Sequence, residues 1–514
     1  MGTPTEVELK LLIDPADIAK LRRHPLLKTL CPAGPVTRKL LSTYFDTDDF
    51  ALKNQDIALR VRRDGRRWIQ TVKAGGSVQL GLHQRPEWEA PVAGNAPDFT
   101  KITDPGLARL FAAEKLRQRL HPAFVTEFSR TIWLLKTASG DRIEMALDRG
   151  EIRAGQEQSP ISEVELELKA GSPAALFELA LVLQETVPLC TENASKAERG
   201  YLLCALQTAS FAAKAAPSGV TRKMSVGAAF RAIAWNCIGQ LQDNQSHLQQ
   251  NYDPEYVHQM RVAVRRLRSA LGLFATAAPG IKNTALIEEL RWLAGQLGAA
   301  RDWDVFLAEI LPPVVVALPR DEELDWLRHR AASLQEEGRE QARAATASQR
   351  FHKLLLMLGG WLWREPWRET TTEEKLDRPV PDYAKSMLAK RHRQLRRHGR
   401  SLASLTLEQR HALRIAAKKL RYATEFFSDL YSRKPAKRYL ETLMDLQDEF
   451  GALNDRAVTR RLLARIGTDD GNVLQNRAIG VIFGWNANEI ANRLAGMTQA
   501  WRNFKRQKIF WKKG

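Results

Sequence analysis

The chain is 514 residues long, 44% hydrophobic, 27% charged and 8% aromatic, with a net charge of +19. That length predicts two or three domains, and no stretch approaches the roughly 18 consecutive apolar residues of a membrane span. Four scattered cysteines (Cys31, Cys190, Cys204, Cys237) without a Cys-x-x-Cys pair argue against a disulfide scaffold and a cysteine zinc site.

The first residues have no basic start followed by an apolar run, so no signal peptide is expected and the expected location is the cytoplasm. Residues 1–205 read mainly as β structure, in short alternating runs separated by turns at Asp64-Gly65, Gly75-Gly76 and Ser139-Gly140-Asp141. Residues 15–30 and 172–186 read as helices packed on the sheet. The alternation places charges on one face. Thr5–Leu11 sets Glu6, Glu8 and Lys10 opposite Val7, Leu9 and Leu11. Leu59–Arg62 aligns Arg60 and Arg62, Arg142–Asp148 aligns Glu144 and Asp148, and Ser162–Lys169 aligns Glu163, Glu165 and Glu167. Arg85-Pro-Glu87-Trp-Glu89 and Arg130 add further charges, while His24, His83 and His121 read as surface or packing residues. Three glutamates spaced by two residues repel one another on an open face. Acids and bases segregate by strand while their totals almost cancel: residues 1–200 hold 28 Lys and Arg against 27 Asp and Glu. That pattern suits a closed barrel whose lumen sets acids against bases. Clustered carboxylates are tolerated around a divalent cation, and clustered Arg and Lys around phosphates.

Phe211–Arg222 reads as a linker, and 206–222 is taken as the whole connection. From about 223 to 505 the period is helical. The other 314 residues hold 50 bases against 32 acids, so this part carries the field that attracts polyanions. An internal repeat runs through it at an offset of 153: His258-Gln-Met-Arg261-Val-Ala-Val-Arg265-Arg266-Leu267-Arg268 reappears as His411-Ala-Leu-Arg414-Ile-Ala-Ala-Lys418-Lys419-Leu420-Arg421. Two similar helical bundles follow, about 223–350 and 376–505, ending in a basic tail at 506–514. His258, Arg261, Arg265 and Arg268 fall on one helical stripe, repeated by His411, Arg414, Lys418 and Arg421. The two stripes form one basic groove if the bundles pack symmetrically, and the bases between Lys385 and Arg400 widen it. Arg301-Asp302 and Asn454-Asp455 read as braces. The stripes contain no aromatic, which points away from nucleic acid without removing it as an alternative. No GxxxxGK[ST] phosphate loop and no HExxH is present.

Glu6-Val-Glu8-Leu-Lys10 resembles the ExExK signature of the CYTH, or triphosphate tunnel metalloenzyme, family. The resemblance continues in order through Tyr44-Phe45-Asp46-Thr47, Arg60-Val-Arg62, Lys73, Arg130, Asp148, Glu163-Val-Glu165-Leu-Glu167 and Ser195-Lys196. It covers about 1–205 and implies an eight-stranded antiparallel tunnel. The second half resembles the CHAD domain, whose His with trailing basic residues stands twice, with Lys418 and Lys419 in place of Arg265 and Arg266. The expected fold is therefore multidomain α+β: a β-barrel tunnel with flanking helices, then a duplicated all-α bundle.

The order of the two domains resembles that of bacterial inorganic triphosphatases, which implies hydrolysis of inorganic triphosphate to pyrophosphate and phosphate. By the same resemblance Lys10, Arg60, Arg62, Lys73, Arg130 and Lys196 grip phosphate oxygens. Glu6, Glu8, Asp148 and Glu165, with one or both of Glu163 and Glu167, hold Mg2+ or Mn2+, and Glu87 or Glu89 joins the set that orients water. Sharing one face, Glu163, Glu165 and Glu167 cannot be told apart by spacing. CHAD implies inorganic polyphosphate as the ligand of His258, Arg261, Arg265, Arg266, Arg268, His411, Arg414, Lys418, Lys419 and Arg421, and a place at polyphosphate granules. Two alternatives stand beside this reading. One is a non-catalytic polyphosphate-binding protein. The other is an enzyme acting on nucleoside or thiamine triphosphate, by hydrolysis or by ATP cyclisation.

Overall fold

Strands β1 (Thr5–Ile13), β2 (Val36–Asp46), β3 (Ile57–Asp64), β4 (Arg67–Ala74), β5 (Ser77–Gln79), β6 (Leu82–Val92), β7 (His121–Lys136), β8 (Arg142–Ala154), β9 (Glu157–Ala170) and β10 (Leu189–Thr191) form one antiparallel sheet in the computed structural model. The order β1-β9-β8-β7-β2-β3-β4-β6 returns to β1 through a direct β1–β6 pairing, which closes an eight-stranded barrel. Short β5 and β10 extend it beside β6 and β1. The structure describes residues 5–204, 211–319, 321–400, 402, 405–466 and 473–512, with the side chains of 373, 407, 452–457, 473–475 and 489–494 outside that description. By packing, the chain divides into one unit of Met1–Ser210 with Ser348–Glu365 and another of Phe211–Ala347 with Pro366–Gly514.

The barrel follows from strict alternation. Leu9, Leu11, Leu59, Val61, Val72, Val164 and Leu166 are buried on its outer face. Around β3 and β4 that face packs under the helix Pro105–Ala112, through Leu107 and Phe111. The helix Pro173–Gln184, capped by Ser172, covers β1 and β9 and is buried nearly all round. Its second partner is the helix Gln349–Arg364, where Gly359 lets Phe177 approach: a Cβ there would lie 2.3 Å from the Phe177 ring.

Inside, the lumen changes character along its axis. One end is apolar, filled by Leu40, Tyr44, Phe124, Phe128, Ile152 and Ile161 with Tyr201 of the helix Lys196–Cys204. Gly200 lets this helix sit on β7, since a Cβ there would meet the Phe124 ring at 2.1 Å. Fully buried Asp46 fixes the turn after β2 by accepting from the backbone N–H groups of Thr47, Leu52 and Lys53 and from Tyr201 Oη. Beyond this plug the lumen is lined with charge.

The second unit is helical. Val226–Gln250, Pro254–Phe274, Thr284–Val305 and Glu322–Ala347 form one set; Val380–His398, Leu407–Phe427, Arg433–Ile466 and Val473–Arg506 form another in the same order. In each set the first helix packs on the second and the third on the fourth. Residues 211–222 are irregular and docked on the second set: Ser218 Oγ donates to Phe426 O at 2.9 Å and Arg222 to Leu430 O at 3.1 Å. Near the chain end Phe510 and Trp511 are buried against Tyr439. None of the described helices is long and apolar enough to cross a membrane.

Candidate active site and basic groove

Register brings the charged strand faces together. Lys10 stands opposite Glu165, Glu8 opposite both Glu167 and His83, Glu6 opposite Arg85, Lys73 opposite Glu87, and Arg130 opposite Asp148. They surround a cavity of about 250 Å³, lined among others by Glu6, Glu8, Lys10, Arg60, Arg62, Lys73, Glu87, Arg130, Glu165, Glu167 and Lys196. His83, expected as a surface or packing residue, lines this cavity instead, as do Tyr44, Glu144 and Lys169, to which no site role is given from sequence; the Arg199 guanidinium lies beneath, on Glu163. The alternation that marks Arg85 and Glu87 also reaches His83, two residues earlier, so a signal was present. A single histidine beside polar residues does not reveal that its face is closed.

The charges are not evenly matched. Lys10 bonds Glu165 and lies 2.8 Å from Glu8; Lys73 bonds Glu6 and lies 3.5 Å from Glu87. Arg130 forks onto Asp148 at 2.8 and 2.6 Å and also reaches Glu165. Lys196 meets Asp148 at 2.6 Å and Glu165 at 3.0 Å and also bonds Glu163, which Arg199 holds from the other side. Asp148, Glu163 and Glu165 offer oxygens within 4.8 Å of one another, a metal-like spacing. Four bases already hold those oxygens, and Asp148 and Glu163 do not line the cavity. They lie beneath it and position Arg130 and Lys196. This separates the glutamate trio: Glu163 under the floor, Glu165 at the cavity wall, and Glu167 beside Lys169 at 2.6 Å.

Surplus negative charge collects elsewhere. Burial, then Glu8 and Glu87, pushes the Glu6 carboxyl up to about 8 against the pull of Lys73. Burial, with Glu144 and Glu8 nearby, also raises Glu167 despite Lys169. Surplus positive charge collects opposite. Arg62 donates to Ser42 Oγ at 3.2 Å and has no ion pair among the described residues. Burial, then Arg60 and Arg130, pushes its guanidinium down to about 10. The Nε atoms of Arg60 and Arg85 and the Nε2 of His83 are buried without a partner. Burial and Lys10 press the His83 imidazole down to about 3, so it is neutral. Tyr44, stacked on Phe124, bonds Arg60; burial opposes ionisation, but Arg60, Arg62 and Lys196 bring the phenol below its usual range.

In the helical unit the two stripes meet. Arg265 and Arg268 from one helix and Lys418 and Lys419 from its repeat line a cavity of about 470 Å³ together with Lys282, Arg291 and Arg391. Arg261 and Arg414 add to the field there, and Arg265 Nε is buried and unpartnered. Several expected members lie elsewhere. Arg266 is turned into the bundle, donating to Gln240 at 2.8 Å and Asn236 at 2.9 Å; the adjacent position on a helix points about 100° away from the stripe. Arg421 is held by Glu425 at 2.7 Å. His411 is exposed, and His258 is kept neutral, with burial, then Arg301, pushing it down to about 4. Of the bases between Lys385 and Arg400, only Arg391 reaches this cavity. Asp302 braces Arg261 at 3.8 Å, whereas the side chains of Asn454 and Asp455 lie outside the described residues. The stripes themselves lack aromatics, but buried Tyr422 and Phe426 form part of the cavity wall.

Comparison with known proteins identifies both domains. Residues 4–201 match the CYTH domain model and residues 232–464 the CHAD domain model. The chain joins a CYTH domain to a CHAD domain. An inorganic triphosphatase from Haemophilus influenzae is 37% identical over 199 residues, which are 38% of this chain and 54% of that protein. The chain thus spans about half the length of this curated relative. The solved CHAD domain from the plant Ricinus communis is 32% identical, with a TM-score of 0.50, covering 58% of this chain and 97% of that one. The closed barrel is the CYTH domain, and the duplicated helical region is the CHAD domain.

Proposed function

We propose that the CYTH domain hydrolyses inorganic triphosphate to pyrophosphate and phosphate with Mg2+ or Mn2+, while the CHAD domain binds inorganic polyphosphate. The observation that carries the first half is paired imbalance within one lumen. A side of the lumen where burial and neighbouring carboxylates raise Glu6 and Glu167 stands against Arg62, which has no acid partner among the described residues, while the Nε atoms of Arg60 and Arg85 lack acceptors. A polyphosphate with its cation neutralises both at once. The relative's name agrees with this substrate.

The carboxylate set suits a hard divalent cation, since it offers oxygen donors from adjacent strands. Glu6, Glu8 and Glu167 would hold it, with Glu165 and Glu87 alongside; of the expected ligands, Asp148 and Glu163 instead hold Lys196 and Arg130 in place. When bound, the cation would neutralise developing charge and polarise the attacking water. Arg60 and Arg62 would take non-bridging oxygens bidentately, Arg130 through the Nη1 that Asp148 and Glu165 leave free, and Lys10, Lys73 and Lys196 as point charges. Glu87, near Arg60 and Lys73, would accept the proton of the attacking water. A new P–O bond then forms to the terminal phosphorus as its bridging P–O bond breaks, releasing pyrophosphate. In the CHAD domain the reading rests on the cavity lined by Arg265, Arg268, Lys418 and Lys419, and it accords with a role at polyphosphate granules in the cytoplasm.

Phosphate release from tripolyphosphate, ATP and thiamine triphosphate, each with Mg2+ or Mn2+, tests the substrate. Tripolyphosphate should turn over fastest, because a charge-lined cavity of about 250 Å³ matches an all-phosphate substrate better than one carrying a base or a thiamine. Faster release from ATP or thiamine triphosphate would replace the substrate, and no release from any would favour a pure polyphosphate-binding protein.

A further inference from the structure

The helix Val380–His398 carries a second basic face that the groove does not use. Lys390, Arg393 and Arg397 recur at i, i+3 and i+7, the spacing that opens the His258 stripe, and Arg400 follows just past the helix end, in a segment where 380–400 holds seven Lys and Arg against one Asp. Together with Arg396 and with Lys505 from the last long helix they surround a cavity of about 710 Å³. No carboxylate lines it, and none of the six forms an ion pair among the described residues. The residues around this cavity and around the central groove do not overlap, and Arg391 points to the groove while its neighbour Lys390 points here.

Attraction to the helix C-terminus accounts for Arg396 and Arg397 in the last turn, an effect that fades beyond that turn. It does not account for Lys390 or Arg393, nor for Lys505 on another helix. Like charges at these spacings are destabilising unless an anion lies among them. We infer that this face is a second binding site for linear polyphosphate on the CHAD domain, separate from the central groove. The inference rests on the polyphosphate reading of that domain. Phosphate chemistry alone is favoured over nucleic acid because both rings in the lining are engaged: Trp501 is buried under Gly399, and His392 is held by Tyr439 Oη at 2.8 Å and packed on Phe504 and Trp511. Two sites on one domain make a long chain bind bivalently, the second contact being intramolecular.

Calorimetric titration of the full chain with short oligophosphate and with long polyphosphate tests this, using Arg393→Glu/Arg397→Glu and Arg265→Glu/Lys418→Glu variants. The expected result is two short-chain sites in the unaltered protein, one remaining in each variant, and a loss of about tenfold or more for the long chain in both. Circular dichroism checks folding, and Arg393→Gln/Arg397→Gln replaces the reversal if it unfolds the helix. If Arg393→Glu/Arg397→Glu keeps the unaltered stoichiometry and affinity while the groove variant loses all binding, the second site is refuted and the groove reading stands. No polyphosphate binding by the unaltered protein refutes both. Polyuridylate binding that depends on Arg393 and Arg397, with no oligophosphate bound there, refutes the phosphate-only ligand.

Discussion

At the scale of single residues, function in this chain is written as unbalanced charge. Arg62 sits in a closed lumen with one hydroxyl partner and two arginine neighbours, an arrangement that costs stability until an anion arrives. Arg62→Ala should therefore lower kcat on tripolyphosphate by about 10²–10³-fold, as loss of one preorganised donor does, while thermal unfolding shows the ligand-free protein no less stable. A fall in kcat with a matching loss of stability would make Arg62 structural. Lys418 offers a pH test. Burial first, then Arg414 and Arg421 on its own helix and Arg265 and Arg261 across the groove, pushes it down to about 7. Because the folded value is depressed, charging this lysine costs folding stability, increasingly as pH falls from the unfolded value toward 7 and fully below it. Bound polyanion raises the value again, so binding takes up a proton above pH 7. Polyphosphate affinity should rise as pH falls toward about 7, then level off, and Lys418→Met should flatten that profile when measured by titration. The residue reading from sequence was good where alternation alone decides: Glu6, Glu8, Lys10, Arg60 and Arg62 all face the lumen. It was poorer where a neighbour decides. Nothing in the spacing of Glu163 says that Lys196 and Arg199 hold it, and nothing in Arg266 says that Gln240 and Asn236 wait for it.

At the scale of elements, the strands were legible because a period of two with Val, Leu and Ile on one side has few other meanings. The helix Lys196–Cys204 was harder. Its nine residues carry little hydrophobic pattern, and only its tertiary position makes it the plug that brings Lys196 into the lumen. Gly200 is its point of contact with β7. Gly200→Ala should cost about 1–3 kcal/mol through the clash with Phe124, read in a denaturant melt, and should lower turnover more than metal affinity by shifting Lys196. Unchanged turnover would remove Lys196 from the working site. The duplicated helices were visible as an offset of 153, and the four-helix order repeats as that offset requires. The buried Arg266 belongs to this scaffold. Arg266→Met should destabilise by about 1–3 kcal/mol, because it leaves the Gln240 and Asn236 oxygens without their donor. The folded variant should keep its polyphosphate affinity in the same titration. The helix Gln349–Arg364 groups with the barrel by packing on the helix Pro173–Gln184, which no local pattern signals.

At the scale of the whole molecule, the charge partition assigns two tasks to two units: a balanced barrel with opposed walls, and a helical region holding nearly all the positive excess. The account makes these tasks separable by substitution. Glu8→Gln should abolish metal-dependent phosphate release and leave polyphosphate binding intact, and Arg265→Glu/Lys418→Glu should do the reverse. Loss of both activities in either variant, assayed side by side, would contradict the partition. The central claim is that the two walls of the lumen take a cation and a triphosphate together. Anomalous scattering from crystals soaked with Mn2+ and a slowly hydrolysed tripolyphosphate analogue tests it most directly. The account predicts an anomalous peak among the Glu6, Glu8 and Glu167 carboxylates, with phosphate oxygens on Arg62 and Arg60. Manganese bound only outside the barrel, or a lumen that takes neither ion nor analogue, would contradict it.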